Sequence, residues 1–69
     1  EMIEISVNGN LESIEDDSTL ASYLKSLGLQ NRKAIAVALN GEVVPRKLFS
    51  QTKISVGDSL EIVRAIGGG

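Results

Sequence analysis

The sequence predicts an α+β domain in two layers, with one helix packed on a mixed sheet of four to five strands. Three observations lead to it. The segment Ile3-Glu4-Ile5-Ser6-Val7 alternates apolar and polar residues ahead of Asn8-Gly9. Leu20, Tyr23, Leu24 and Leu27 recur at helical spacing, and Ala34–Leu39 and Ser59–Arg64 return to a two-residue period. The order strand, strand, helix, strand, short strand, strand then leaves one helix to cover one face of one sheet. A chain of 69 residues has room for a single core.

Each element has a local cause. In the first strand the period points Ile3, Ile5 and Val7 inward, and Asn8-Gly9 favours the positive backbone angles of a tight hairpin, so Asn10–Glu15 returns as a second strand. Its weaker pattern suits a sheet edge. Asp16-Asp17-Ser18-Thr19 reads as a helix start: Ser18 or Thr19 caps free N–H groups, and the aspartates complement the positive end of the helix dipole. The helix spans about residues 19–27, carries the Leu20, Tyr23, Leu24, Leu27 stripe, and stops where Gly28 accepts a left-handed conformation. Asn31-Arg32-Lys33 is a polar turn. Ala34–Leu39 is a strand with Ile35, Val37 and Leu39 on one face and Ala34, Ala36 and Ala38 on the other. Asn40-Gly41 is a second hairpin-type turn, and Pro45 stops Glu42-Val43-Val44 from running as a central strand, because proline has no N–H to give. Arg46–Gln51 is a helical turn or loop and Thr52–Val56 a short strand. Gly57-Asp58 is a turn, and Ser59–Arg64 a last strand with Leu60 and Ile62 inward.

Composition removes several function classes. The chain has no cysteine and no histidine, so it has no disulfide, and its eight serines have no obvious activating base for nucleophilic catalysis. No catalytic residue is expected. The glycines are scattered or terminal rather than gathered between a strand and a helix, so no nucleotide loop is visible and no bound cofactor is expected. A net charge of −2 and only two aromatic residues, Tyr23 and Phe49, argue against nucleic acid as a partner. The longest apolar run, Ala34–Leu39, is too short to span a membrane; a cytoplasmic location follows as the default. Glu15, Asp16 and Asp17 are read as capping and dipole partners rather than as a metal site. Glu1 precedes Met2, which is expected to be the native start, with Glu1 a remnant of cloning or processing. The domain is then 2–66, followed by a flexible tail at 67–69.

That tail is the distinctive feature. Gly67, Gly68 and Gly69 cannot pack, and glycine costs the most entropy to order. Five extended residues reach at most about 17 Å. Such a tail is thin enough to thread a channel and ends in an unhindered carboxylate that a nucleotide-dependent partner can activate. Composition alone leaves a second reading, a linker or frayed end.

The residues also carry a resemblance. The order of elements, the segment Val37-Ala38-Leu39-Asn40-Gly41-Glu42-Val43-Val44-Pro45-Arg46, the turn Gly57-Asp58 before Leu60-Glu61-Ile62-Val63, and the terminal Ile66-Gly67-Gly68-Gly69 together resemble the ThiS family of thiamine-biosynthesis sulfur carriers. The resemblance spans Met2 to Gly69. It implies a ubiquitin-like β-grasp fold in which the first and last strands lie side by side and parallel at the sheet centre. It implies too that the chain is a co-substrate and not an enzyme. On this resemblance a ThiF-like enzyme would adenylate the carboxylate of Gly69 with ATP, and sulfur derived from a cysteine desulfurase would displace AMP to give a thiocarboxylate. A ThiG-like thiazole synthase would then receive that sulfur. Gly67 and Gly68 then serve as access residues for the partners' active sites, and the free chain is expected to be a monomer.

Two further expectations concern recognition. Ala36 and Ala38 on one strand and Val63 and Ala65 on the next are small and apolar where polar residues are usual, so with Arg64 and Ile66 they are candidates for partner docking at the base of the tail. Arg64 is either a steering charge for the tail or a solvated strand end. Val44-Pro45-Arg46 is read as structural. Two alternatives to the thiazole carrier stand beside it: a carrier of the molybdopterin synthase small-subunit type, and a non-catalytic ubiquitin-like interaction module.

Overall fold

The computed structural model describes residues 1–31 and 34–64. Arg32 and Lys33 of the polar turn, and the expected tail with Ala65 and Ile66, lie outside the described residues. Five strands form one sheet: β1 (Met2–Val7), β2 (Asn10–Glu15), β3 (Ile35–Leu39), β4 (Glu42–Val44) and β5 (Ser59–Arg64). Their order is β2-β1-β5-β3-β4. β1 and β5 run parallel side by side at the centre, and every other neighbouring pair is antiparallel. This is the β-grasp arrangement, with β2 at one edge, as its weak pattern implied. β4 is the other edge, where Pro45 removes the next backbone donor without breaking a central ladder.

One helix, α1 (Leu20–Ser26), covers the inner face. Thr19 is its N-cap: the Thr19 hydroxyl accepts from the Ser22 N–H at 3.1 Å, and the Ser22 hydroxyl accepts from the Thr19 N–H at 2.9 Å. Two orphan donors are thus satisfied reciprocally. Asp16 and Asp17 stand ahead of this cap; the first turn itself carries no acidic residue.

The helix end corrects the sequence reading. Gly28, at φ +76°, lets the chain reverse, so that the Gly28 N–H donates to the Lys25 carbonyl and the Leu29 N–H to the Leu24 carbonyl, both at 2.9 Å. That pair of bonds is a Schellman motif, which brings the second residue past the cap back onto the helix. Leu29 is therefore buried, while Leu27, expected on the apolar stripe, is 47% exposed. Thr52–Val56 is a second correction. It forms no sheet strand and makes a single bridge, Lys53 to Thr19. Its backbone instead pairs with the helix entry: the Leu20 N–H donates to the Thr52 carbonyl and the Ile54 N–H to the Ser18 carbonyl. Those bonds hold Ile54 fully buried beneath the helix start.

Ile5, Leu20, Leu24, Val37, Ile54 and Leu60 form the centre of the core, joined by Ile14, Tyr23, Leu29 and Phe49. Each such side chain contributes roughly 1.5–3 kcal/mol by leaving water. Phe49 comes from the 3-10 turn Arg46–Gln51, and the Arg46 guanidinium lies over its ring, 5.8 Å from the centroid. The core thus sits wholly between the helix and the inner face, leaving the other sheet face uncovered by any described element.

Candidate functional site

The site is best built outward from β5, since that strand leads directly into residues 65–69. Its alternation sends Leu60 and Ile62 toward the core and leaves Glu61 and Val63 on the outer face. The antiparallel register with β3 sets Ala36 opposite Val63 and Ala38 opposite Glu61. On the far side of β3, Ala38 lies opposite Val43 of β4. Residues opposite one another share a face, so Val63, Ala36, Ala38 and Val43 form one apolar run across three strands. Val63 is 64% and Val43 73% exposed, Ala36 is exposed, and Ala38 is half-buried. The alanines keep the surface flat and the valines rise at its two ends.

The structure therefore brings together three of the expected docking residues, Ala36, Ala38 and Val63, and adds Val43, whose position in a three-residue strand gave no pattern to read. Arg64 belongs elsewhere. It pairs with Ile35 in the register, which puts it on the inner face, where with Val7, Asn8, Leu27, Leu29 and Ile62 it lines a cavity of about 260 Å³. Ala65, Ile66, Gly67, Gly68 and Gly69 lie outside the described residues.

β5 is held at its start and again at Ile62 by asparagine side chains from the two Asn-Gly turns. Asn8 and Asn40 have φ of 51° and 52°, left-handed values that asparagine tolerates better than other side chains. At the start of the strand, Asn40 Oδ1 accepts from the Ser59 N–H at 2.9 Å and Asn40 Nδ2 donates to Asp58 Oδ1 at 3.1 Å. Asp58 Oδ2 in turn accepts from the Ser55 N–H at 2.8 Å. Further along, Asn8 Oδ1 accepts from the Ile62 N–H at 2.8 Å and Asn8 Nδ2 donates to the Ile62 carbonyl at 3.2 Å. Sequence reasoning saw both asparagines only as turn formers. The available signal was the choice of asparagine, whose amide offers a donor and an acceptor together, over aspartate or glycine.

Little of the described chain is arranged for chemistry of its own. Ser22 is engaged in the helix cap and the Ser26 hydroxyl donates to the Tyr23 carbonyl at 2.6 Å. Among the described residues no group of three or more carboxylates is placed to hold a metal ion, and no helix is long and apolar enough to cross a membrane. Burial, with a further push from the Glu12 carboxylate, raises the Tyr23 phenol above its ordinary pKa; Tyr23 faces β2, away from β5. The arrangement offers a strand end braced by side-chain amides and, beside it, an apolar run bordered by Glu61.

Residues 3–69 match the model of the ThiS family. A thiazole synthase of Paramagnetospirillum magneticum is 37% identical over 67 residues, which is 97% of this chain; the chain spans only 20% of that enzyme's length. The uncharacterized protein ycf40 of Porphyra purpurea is 33% identical over 67 residues and is matched over 93% of its own length. The crystal structure of the thiamine biosynthesis protein ThiS from Geobacter metallireducens superimposes with a TM-score of 0.82 at 29% identity, covering 97% of this chain and 100% of that one.

Proposed function

This chain belongs to the ThiS family, and on that premise we propose that it carries sulfur for thiazole formation in thiamine biosynthesis, on the C-terminal carboxylate of Gly69. The carboxylate attacks the α-phosphorus of ATP in a ThiF-like partner and pyrophosphate leaves. The terminal sulfur of a persulfide supplied from a cysteine desulfurase then attacks the acyl carbon and AMP departs; a thiol reductant cleaves the S–S bond of the resulting acyl disulfide, and a thiocarboxylate remains. A ThiG-like thiazole synthase takes the sulfur. The activation is necessary because hydroxide is a poor leaving group and AMP a good one, and the sequence carries no glycine-rich phosphate loop motif with which to bind ATP itself. It is a co-substrate on this reading. Side chains at 68 or 69 would crowd the phosphorus and the entering sulfur, so glycine serves access there and not folding.

The observation that carries the thiazole assignment is the Paramagnetospirillum enzyme. A protein named for thiazole synthesis contains, as 20% of its own chain, a counterpart 37% identical to this one. A carrier and the enzyme that accepts its cargo are natural candidates to share a polypeptide, since linkage replaces a bimolecular encounter with an intramolecular one. The apolar run of Ala36, Ala38, Val43 and Val63 supports the same reading as a docking face for the activating enzyme: small side chains admit close approach, and the strand it flanks is the one that leads to the tail.

Intact mass spectrometry tests the proposal. Incubation with ATP, the activating enzyme and a sulfur donor raises the mass by the difference between one sulfur and one oxygen atom. No shift with an activating enzyme shown to be competent on another carrier refutes it. Appending one residue after Gly69 abolishes the shift, whereas a binding module working through its surface alone keeps its partner affinity.

A further inference from the structure

The parallel pairing of β1 with β5 ends early. Its register contains only Ser6 with Ser59 and Val7 with Leu60, because the chain turns away at Asn8-Gly9. β5 continues to Arg64, so its last four residues have β3 on one flank and no strand on the other. On the open flank the even residues present their backbone groups. The Asn8 N–H still donates to the Leu60 carbonyl at 2.8 Å, as a strand residue would, and the ladder then has no further peptide to offer.

The Asn8 side chain supplies the next rung. Its amide accepts from the Ile62 N–H and donates to the Ile62 carbonyl, the double exchange that a residue of an antiparallel neighbour makes. Only one orientation of the amide satisfies both groups, so the assignment of oxygen and nitrogen follows from the bonds. Because Asn8 is also the left-handed first residue of the turn, one residue ends β1 and extends its ladder by one step. Arg64, two residues later, is where the chain passes to residues 65–69.

Resting on the carrier reading above, we infer that Asn8 is a positioning residue for activation of the C-terminal carboxylate. β3 pairs with one flank of β5 through Arg64; by clamping Ile62 on the other flank, Asn8 keeps the last residues of the strand from fraying. Each residue freed there adds an ordering cost when the carboxylate is brought to phosphorus, which slows the step. Asn40 provides a matched control: it has the same turn geometry and also makes two side-chain bonds, but at the start of β5. Its loss costs comparable stability without freeing the exit.

The test uses the full chain in two variants, Asn8→Gly and Asn40→Gly, since glycine adopts the left-handed turn without strain and removes only the amide. By hydrogen exchange, the Ile62 amide is expected to exchange about tenfold faster in Asn8→Gly, with the Val37 and Leu60 amides little changed. In pyrophosphate exchange driven by the activating enzyme, Asn8→Gly is expected to lower kcat about three- to tenfold, with KM for the carrier little changed because the docking face is intact. A merely structural role would instead deplete folded carrier, raising apparent KM and sparing kcat, and would affect Asn40→Gly equally. Equal kinetics for the two variants, or an unchanged kcat in Asn8→Gly, overturns the inference. Should Asn8→Gly fail to fold, Asn8→Asp decides: it keeps the acceptor for the Ile62 N–H and loses the donor, so an intermediate loss of kcat supports the role and a wild-type kcat overturns it. No pyrophosphate exchange with the unaltered chain refutes the carrier reading itself, and the positioning role falls with it.

Discussion

The two faces of β3 and β5 share one set of backbone hydrogen bonds and have opposite fates. Facing the helix, Val37 and Leu60 are wholly buried and Ile35, Leu39 and Ile62 pack against them. Facing outward, Ala36 and Val63 lie directly opposite each other and exposed. A two-residue period sends adjacent positions to opposite faces, so the same six residues of β5 supply the core on one side and an exposed surface on the other. The lesson is that in a domain of this size one sheet face must build the core, which leaves the other available for partners.

The sharpest way to break that comparison is to truncate one residue on each face. Leu60→Ala is expected to cost about 2–5 kcal/mol, since it opens a cavity at a fully buried site. Val63→Ala, three positions along and facing outward, should cost under about 0.5 kcal/mol. Urea denaturation of both variants checks this, and similar costs would show that the faces are not divided as described. Thr19→Ala comes next, at about 1 kcal/mol by the same measurement, because it unmakes the reciprocal cap that starts the covering helix. Ala36→Glu inverts the expectation for the outer face. Its stability cost should be under about 1 kcal/mol, while affinity for the activating enzyme, followed by calorimetric titration, drops about tenfold or more as a charge enters an apolar contact.

The smallest effect is a pH dependence on the core side. Burial, and secondarily Glu12, raise the Tyr23 phenol in the folded state. Between the unfolded and folded values the native state holds the extra proton, so this contribution is whole below the unfolded value near about 10 and is lost as pH rises through the folded one. Denaturation midpoints should therefore fall more from about pH 9 to about pH 11 in the unaltered protein than in Tyr23→Phe. Equal slopes would remove Tyr23 from the account.

Much of the fold was legible in neighbouring residues. The alternation of Ile3, Ile5 and Val7, the Asn-Gly pairs, Thr19 ahead of the Leu20 stripe, and Pro45 after Val44 each act over a few positions, and each appears in its expected place. The misreadings share a different origin. Leu27 is exposed and Leu29, which carried no expectation, is buried, because a helix stripe extrapolated by period ignores the reversal at Gly28. Thr52–Val56 alternates like a strand, yet its backbone partners are Ser18 and Leu20, more than thirty residues away, and they are not part of the sheet. Within the candidate site, Ala36 and Val63 stood out by composition; that they meet, and that Val43 joins them, depends on register.

By itself, then, the sequence determined the five sheet strands and the helix, the Thr19 cap and the Asn-Gly turns, which face of β1, β3 and β5 enters the core, and a Gly67-Gly68-Gly69 run without side chains. Only the tertiary structure decided that β1 stops two residues short of Ile62, so that the amide of Asn8, 54 positions distant, must complete the ladder. Turn chemistry is a property of adjacent residues, whereas the partner of a side-chain amide is chosen by whichever backbone the register leaves unpaired beside it.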